Sequence, residues 1–180
     1  CGVCGGAGSE TGYTCDGTPE LFTFSQSTQQ AFYFIVDVSI DGESVDSLDW
    51  VGVFNGDVCV GARQWNTLGC GGGICDVAAM GYTGNAATEG YCLPGDIITF
   101  KIFDSSDNTY IDAIPSENYP WSNMGTNIVD SLMSCSDGSE LDCAGDCGGS
   151  AELDVCGVCD GGVTEVSECI VCPDGMDIDC

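Results

Sequence analysis

Cysteine is the most reactive side chain in this 180-residue chain, and it occurs fifteen times. A reducing cytosol rarely holds proteins with so many thiols unless they bind metal, whereas secreted proteins use cysteines as a disulfide framework. We therefore predict an extracellular or cell-surface protein with mostly paired cysteines, although an odd number leaves at least one thiol without a partner in the chain. The candidates for this framework are Cys1, Cys4, Cys15, Cys59, Cys70, Cys75, Cys92, Cys135, Cys143, Cys147, Cys156, Cys159, Cys169, Cys172 and Cys180.

Two Cys-x2-Cys pairs near the end of the chain, Cys156 with Cys159 and Cys169 with Cys172, have the spacing of a zinc site. Disulfides are the preferred interpretation, because histidine is absent and residues 135–180 contain no basic side chain that would lower a thiol pKa. A redox pair is the remaining alternative. Its usual setting is a strand that leads into a helix, whereas these pairs lie in glycine-rich chain.

Carboxylates are clustered in the last part of the chain, in groups of three within six residues beside a glycine. Such a group could fold around a hard cation, so calcium is the one cofactor that we consider, although the spacing is not that of an EF-hand loop. The alternative is a solvated acidic face that keeps a repetitive protein in solution. The candidate calcium ligands are Asp137, Glu140, Asp142, Asp174, Asp177 and Asp179.

Four aromatic residues fall outside the clearest predicted strands. On the loops of a β-domain, aromatic rings can stack on sugars while neighbouring Asp or Asn side chains bind hydroxyl groups. The alternative is that these rings close the ends of the hydrophobic core, to which aromatic side chains contribute much of the buried area. The four candidate ligand-binding residues are Trp65, Tyr82, Tyr119 and Trp121.

Composition excludes several classes of function. Without histidine, Ser–His and Cys–His nucleophile pairs cannot form, and a small β-domain has little room for the cleft of a carboxylate pair, so we predict no enzyme. Twenty-nine acidic residues face only Arg63 and Lys101, and the net charge of −27 disfavours nucleic acid and anionic lipid as partners. No apolar run approaches the roughly 20 residues that insertion into a membrane requires.

The middle of the chain shows the two-residue hydrophobic period of half-buried strands. Apolar and other side chains alternate from Phe34 to Ile40 and again from Ile98 to Ile102. The pair Asn55-Gly56 predicts a two-residue hairpin turn. No segment has helical periodicity, so we predict an all-β fold, specifically an antiparallel β-sandwich flanked by irregular disulfide-rich segments.

The end of the chain contains an internal repeat. The segment Cys135–Cys143 recurs 37 residues later as Cys172–Cys180, and Cys156-Gly-Val-Cys159 recurs at the start of the chain as Cys1-Gly-Val-Cys4. We expect the chain to continue after Cys180 as it does after Cys143. With few large apolar residues, the repeat cannot build a core and depends on disulfides, ions or neighbours. The predicted organisation is the end of a Cys-rich repeat at 1–17, a β-sandwich domain at 18–134, and a Cys/Gly/Asp-rich repeat at 135–180.

The run DCAGDCGGSAELDVCGVCDGG, residues 142–162, resembles the Cys/Gly/Asp-rich repeats of very large secreted surface proteins of aquatic, mainly marine, microbes. The resemblance covers 135–180 and, more loosely, 1–17. The segment 50–61, WVGVFNGDVCVG, is similar to β-rich domains embedded in secreted bacterial proteins. The resemblance implies a structural role and no known chemistry.

Two functions follow from these observations. The first is a structural repeat unit of an extracellular filament, stalk, sheath or giant adhesin, whose partners are copies of itself or adjacent repeats. The alternative is a calcium-dependent carbohydrate- or ligand-binding module of a secreted surface protein, with glycans as partners. Within the middle domain, Cys59, Cys70, Cys75 and Cys92 are predicted to pair among themselves.

Overall fold

The computed structural model describes residues 8–169. The chain divides into two compact units, Cys1–Gly138, here called the sheet domain, and Ser139–Cys180, here called the spacer unit. Residues 1–7 and 170–180, and with them Cys1, Cys4, Cys172, Cys180, Asp174, Asp177 and Asp179, lie outside the described residues.

The sheet domain is built from strands, which confirms the predicted all-β class. In residues 8–169 the only helical segments are short 3-10 turns. The eight strands are β1 Gln30–Ile40, β2 Glu43–Ser44, β3 Trp50–Asn55, β4 Val58–Gln64, β5 Cys75–Met80, β6 Thr99–Asp104, β7 Thr109–Pro115 and β8 Thr126–Ser134. The 3-10 turns are Glu20–Phe22, Thr67–Gly69, Gly71–Gly73, Ala86–Thr88 and Val166–Glu168.

These strands form one continuous sheet in the order β2-β1-β8-β7-β6-β3-β4, with β5 also paired to β1. Strand β7 joins the two halves of the sheet, because its first residues pair with β6 while Ile114 and Pro115 pair with β8. Strands β1 and β8 run parallel, with Phe32 opposite Thr126. The predicted antiparallel sandwich is therefore not confirmed: the sheet is continuous and curled, and one central pair of strands is parallel.

The curl brings β4 and β5, each paired with only one other strand of the described chain, side by side. In residues 8–169 no ladder of backbone hydrogen bonds joins these two strands. Instead, Arg63 Nη1 of β4 donates to the main-chain oxygen of Asp76 in β5 at 3.1 Å and to its carboxylate at 2.5 Å. At Gly61 the backbones approach so closely that a β-carbon would lie 1.9 Å from the carbonyl oxygen of Ala78. We call this contact the seam.

The interior of the curled sheet holds the main hydrophobic core. Alternation along β3 places Val51 and Val53 in this core, while Phe54 belongs to a second cluster. This second cluster, here called the outer cluster, consists of Phe22, Phe54, Cys59 and Phe103, with Tyr13, Trp50 and Tyr110 packed against it. Gly52 leaves room for the Phe22 ring of this cluster, since a β-carbon at position 52 would lie 2.6 Å from that ring.

Candidate functional site

The spacer unit repeats its own structure after twelve residues. An isolated β-bridge joins Leu141 to Cys147, and an equivalent bridge joins Leu153 to Cys159. The backbone hydrogen bond from Gly145 to Asp142 recurs in the same way from Gly157 to Asp154, at 3.0 and 2.9 Å. This twelve-residue period lies inside the 37-residue repeat that the sequence showed.

One aspartate organises each twelve-residue turn, through three backbone amides. At Asp142, Oδ1 accepts from the amides of Ala144 and Asp146 at 2.9 and 3.0 Å, and Oδ2 accepts from Ala151 at 3.0 Å. The same offsets recur at Asp154, which accepts from the amides of Cys156, Val158 and Val163 at 2.9, 2.9 and 3.2 Å. We call these two carboxylates the aspartate hubs.

The hydrogen bonds change the electrostatics of both hubs. The amide of Asp146 does most to hold the pKa of the Asp142 carboxyl below its ordinary value, and the amide of Val158 does the same at Asp154. Both oxygens of each carboxylate accept hydrogen bonds from backbone N–H groups. Asp142, a candidate calcium ligand, thus organises the backbone of its turn, whereas Asp137 and Glu140 are exposed.

The hubs predict how acid affects the spacer unit. Their folded-state pKa values are lowered from 3.8, so their contribution to stability is complete above that pH and is lost as the pH falls through the lower folded value. Replacing Asp154 by asparagine should reproduce part of this loss at neutral pH, because the amide nitrogen that replaces one carboxylate oxygen cannot accept a hydrogen bond. The remaining oxygen can still serve Cys156 and Val158, which share Oδ1, so we expect exchange of the Val163 amide, bonded to Oδ2, to become roughly five- to tenfold faster.

Amide hydrogen exchange measured by NMR checks this prediction. Glu152→Gln is the matched control, since its exposed side chain makes no hydrogen bond in the described structure and its charge change is the same. Equal exchange rates in Asp154→Asn and Glu152→Gln would show that the Asp154 carboxylate does not organise the turn.

Disulfides supply the second constraint on the spacer unit. Cys143 is bonded to Cys159 and Cys156 to Cys169, with Cα–Cα distances of 5.6 and 5.5 Å. Each closes a loop of sequence separation 16 or 13, which contributes about 3 kcal/mol by restricting the unfolded chain. In residues 139–169 no side chain is fully buried, so disulfides and hubs replace a hydrophobic core.

The connectivity also decides between the alternatives for the Cys-x2-Cys pair. Cys156 and Cys159 are bonded to different partners and not to each other. Their sulfurs are therefore neither zinc thiolates nor a redox pair. Cys15, Cys135 and Cys147 are disulfide-bonded as well.

Four cysteines of the sheet domain were predicted to pair among themselves. Cys70 and Cys75 do so, with a Cα–Cα distance of 5.1 Å. The prediction is wrong for Cys59 and Cys92, which are free and buried. The reason is that Cys59 belongs to the outer cluster while Cys92 belongs to the main core. Burial raises the pKa of Cys59 to about 11 and that of Cys92 to about 12, which keeps both thiols protonated.

The four candidate aromatic residues do not form one exposed surface. Trp65 and Trp121 are only 3% and 0% exposed, so the prediction of a sugar platform is wrong for these two, and they close the core instead. Trp121 Nε1 donates to the carbonyl oxygen of Ala79 at 3.0 Å. Tyr119 is partly buried against the core, and Tyr82 is 38% exposed.

Comparison with protein-family models, with curated proteins and with solved structures gave no match. Among residues 8–169 there is no helix of the length and apolar character that would cross a membrane.

Proposed function

We propose that this chain is a structural repeat unit of an extracellular assembly, such as a filament, stalk, sheath or giant adhesin. The observation that supports this most directly is the spacer unit, which has no buried hydrophobic side chain in residues 139–169 and is held by overlapping disulfides. A segment that is covalently cross-linked along its length can transmit tension.

Overlap of the two disulfides is the feature that suits them to tension. Cys156 lies between Cys143 and Cys159, so the covalent path runs from Cys143 to Cys159, back along the chain to Cys156, and across to Cys169. That path is about 20 Å long when pulled straight, whereas the uncrosslinked segment would reach about 90 Å. With both disulfides intact, the spacer unit therefore extends only slightly when it is pulled.

The setting in this proposal is extracellular. Disulfides persist in oxidising compartments, and the large negative charge keeps units apart except where specific contacts form. In the assembly, the sheet domain is the folded body of each unit and provides its exposed surface. The partners are copies of the chain or adjacent repeats, joined through spacer units.

Pulling a single full chain by its two ends tests the mechanical role. The double variant Cys156→Ser/Cys169→Ser removes one of the overlapping cross-links, and we expect the fully extended chain to lengthen by about 20 Å. Optical tweezers resolve such a change in contour length.

The control is the double variant Cys70→Ser/Cys75→Ser, whose short loop in the sheet domain should add only about 10 Å. If wild-type and Cys156→Ser/Cys169→Ser chains reach the same extended length, load does not pass through this disulfide and the proposal loses its mechanical basis.

A further inference from the structure

A cavity of about 470 Å³ opens on the sheet domain, beside the loop that connects β4 to β5. Its apolar wall is formed by Phe34 of β1, Ile74 of the loop and Ile128 of β8. Ile74 and Ile128 are 39% and 59% exposed, so this wall faces solvent in the isolated chain. The rim is Gly69–Gly71, which the Cys70–Cys75 disulfide holds in place.

Leu68 stands directly beside this rim and is 96% exposed. The turn that carries it is ordered, since the Asn66 side chain accepts a hydrogen bond from the Leu68 amide at 3.2 Å. A single exposed leucine is unremarkable. Here, however, Leu68 lies on a loop that a disulfide holds in place, next to an open apolar cavity. Leu68 is therefore a projection, and the cavity beside it is a recess that could receive the same side chain from another copy.

The charge distribution indicates what could cover this surface. The 18-residue stretch 58–75 contains no acidic residue and is the longest such stretch in a chain of net charge −27. Among the described residues that line the cavity, the one carboxylate, Asp76, is paired with Arg63. Exposed Asp130 lies two residues beyond Ile128 on β8, so two copies of the chain face fewer unpaired carboxylates here than over most of their surfaces, and the repulsion that remains is screened by salt.

We propose that two copies of this chain associate through this surface, with Leu68 of each copy seated in the cavity of the other. Because the projection and the recess are neighbours, a two-fold axis beside the rim satisfies both at once, which makes the contact isologous. This lateral pairing goes beyond the proposed structural role and does not depend on it, since it needs only the folded sheet domain.

Sedimentation velocity of the oxidised full chain tests the proposal. We expect a reversible dimer that becomes tighter from 20 mM to 500 mM NaCl, because salt screens the repulsion between the two negative chains. Leu68→Asp should raise the dimer dissociation constant by at least about 100-fold, since two leucine side chains lose their burial. The matched control, Leu48→Asp, adds the same charge at a 64% exposed leucine outside the surface. Its dimer dissociation constant should stay within about twofold of the wild-type value.

Mixing two variants distinguishes the reciprocal contact from any other. Leu68→Asp keeps the cavity and Ile128→Asp keeps the projection, so a mixed dimer retains one of the two contacts while each variant alone retains none. We expect mixed dimers at concentrations where neither variant dimerises. A monomeric wild type at 500 mM NaCl, a Leu68→Asp variant that dimerises normally, absence of mixed dimers, or a dimer that persists as a disulfide-linked species in denaturant would each overturn the proposal.

Discussion

Replacing Trp121 by alanine should lower the free energy of unfolding of the sheet domain by about 3–5 kcal/mol, the usual cost of removing a large buried aromatic side chain. Trp121 is fully buried, and its ring lies so close to Gly81 that a β-carbon there would be 2.4 Å from it. The substitution also leaves the carbonyl oxygen of Ala79 without the indole donor. Urea unfolding followed by circular dichroism measures the change.

Tyr82→Ala is the control for this prediction, because Tyr82 came from the same set of candidate sugar-binding aromatics but is exposed. We expect it to cost clearly less than Trp121→Ala, about 1–2 kcal/mol, because Tyr82 is 38% exposed and therefore buries less apolar area. A Trp121→Ala variant as stable as Tyr82→Ala would mean that Trp121 is not part of the core.

Gly61→Ala should open the seam, with a cost of about 1–3 kcal/mol or more. The added β-carbon would meet the main-chain oxygen of Ala78 at 1.9 Å, and a backbone atom cannot rotate out of the way. Strands β4 and β5 must therefore separate, which also weakens the contacts of Arg63 with Asp76. Faster amide exchange in both strands, together with a lower urea midpoint, is the expected result.

Gly69→Ala is the matched control. It lies in the loop after β4, has no atom within 4 Å of the added β-carbon, and does not need a positive φ. If Gly61→Ala and Gly69→Ala unfold at the same urea concentration, the close approach at the seam is not tight enough to matter.

Local patterns in the sequence predicted the strands well, because alternation reports directly on which face of a strand is buried. The run from Phe34 to Ile40 lies in β1, and the Asn55-Gly56 signal lies at the β3–β4 hairpin. The turn itself is Gly56-Asp57, since Asn55 pairs with Val58. Strand order was not predictable in this way. The parallel pairing of β1 with β8 joins distant segments, and no local pattern encodes a partner.

The cysteine and aspartate roles show a similar division. High cysteine content predicted disulfides. The spacing of Cys59 and Cys92 in the sequence does not reveal that their thiols pack on opposite sides of β3 and β4 and therefore do not pair. The aspartate hubs did leave a signal: the pair Leu-Asp recurs at Leu141 and Leu153, twelve residues apart. The 37-residue repeat is longer and easier to recognise than this twelve-residue period, which was therefore not predicted. What the period means, a carboxylate that gathers three amides, becomes evident only with the backbone in place.

The overlapping disulfides of the spacer unit also affect how it responds to proteases. A cut before Cys156 leaves the two pieces joined by Cys143–Cys159, and a cut after Cys159 leaves them joined by Cys156–Cys169. A cut between Cys156 and Cys159 is spanned by both bonds. One nick anywhere from Cys143 to Cys169 therefore does not sever the chain, so a segment without a hydrophobic core stays covalently continuous after a single cleavage.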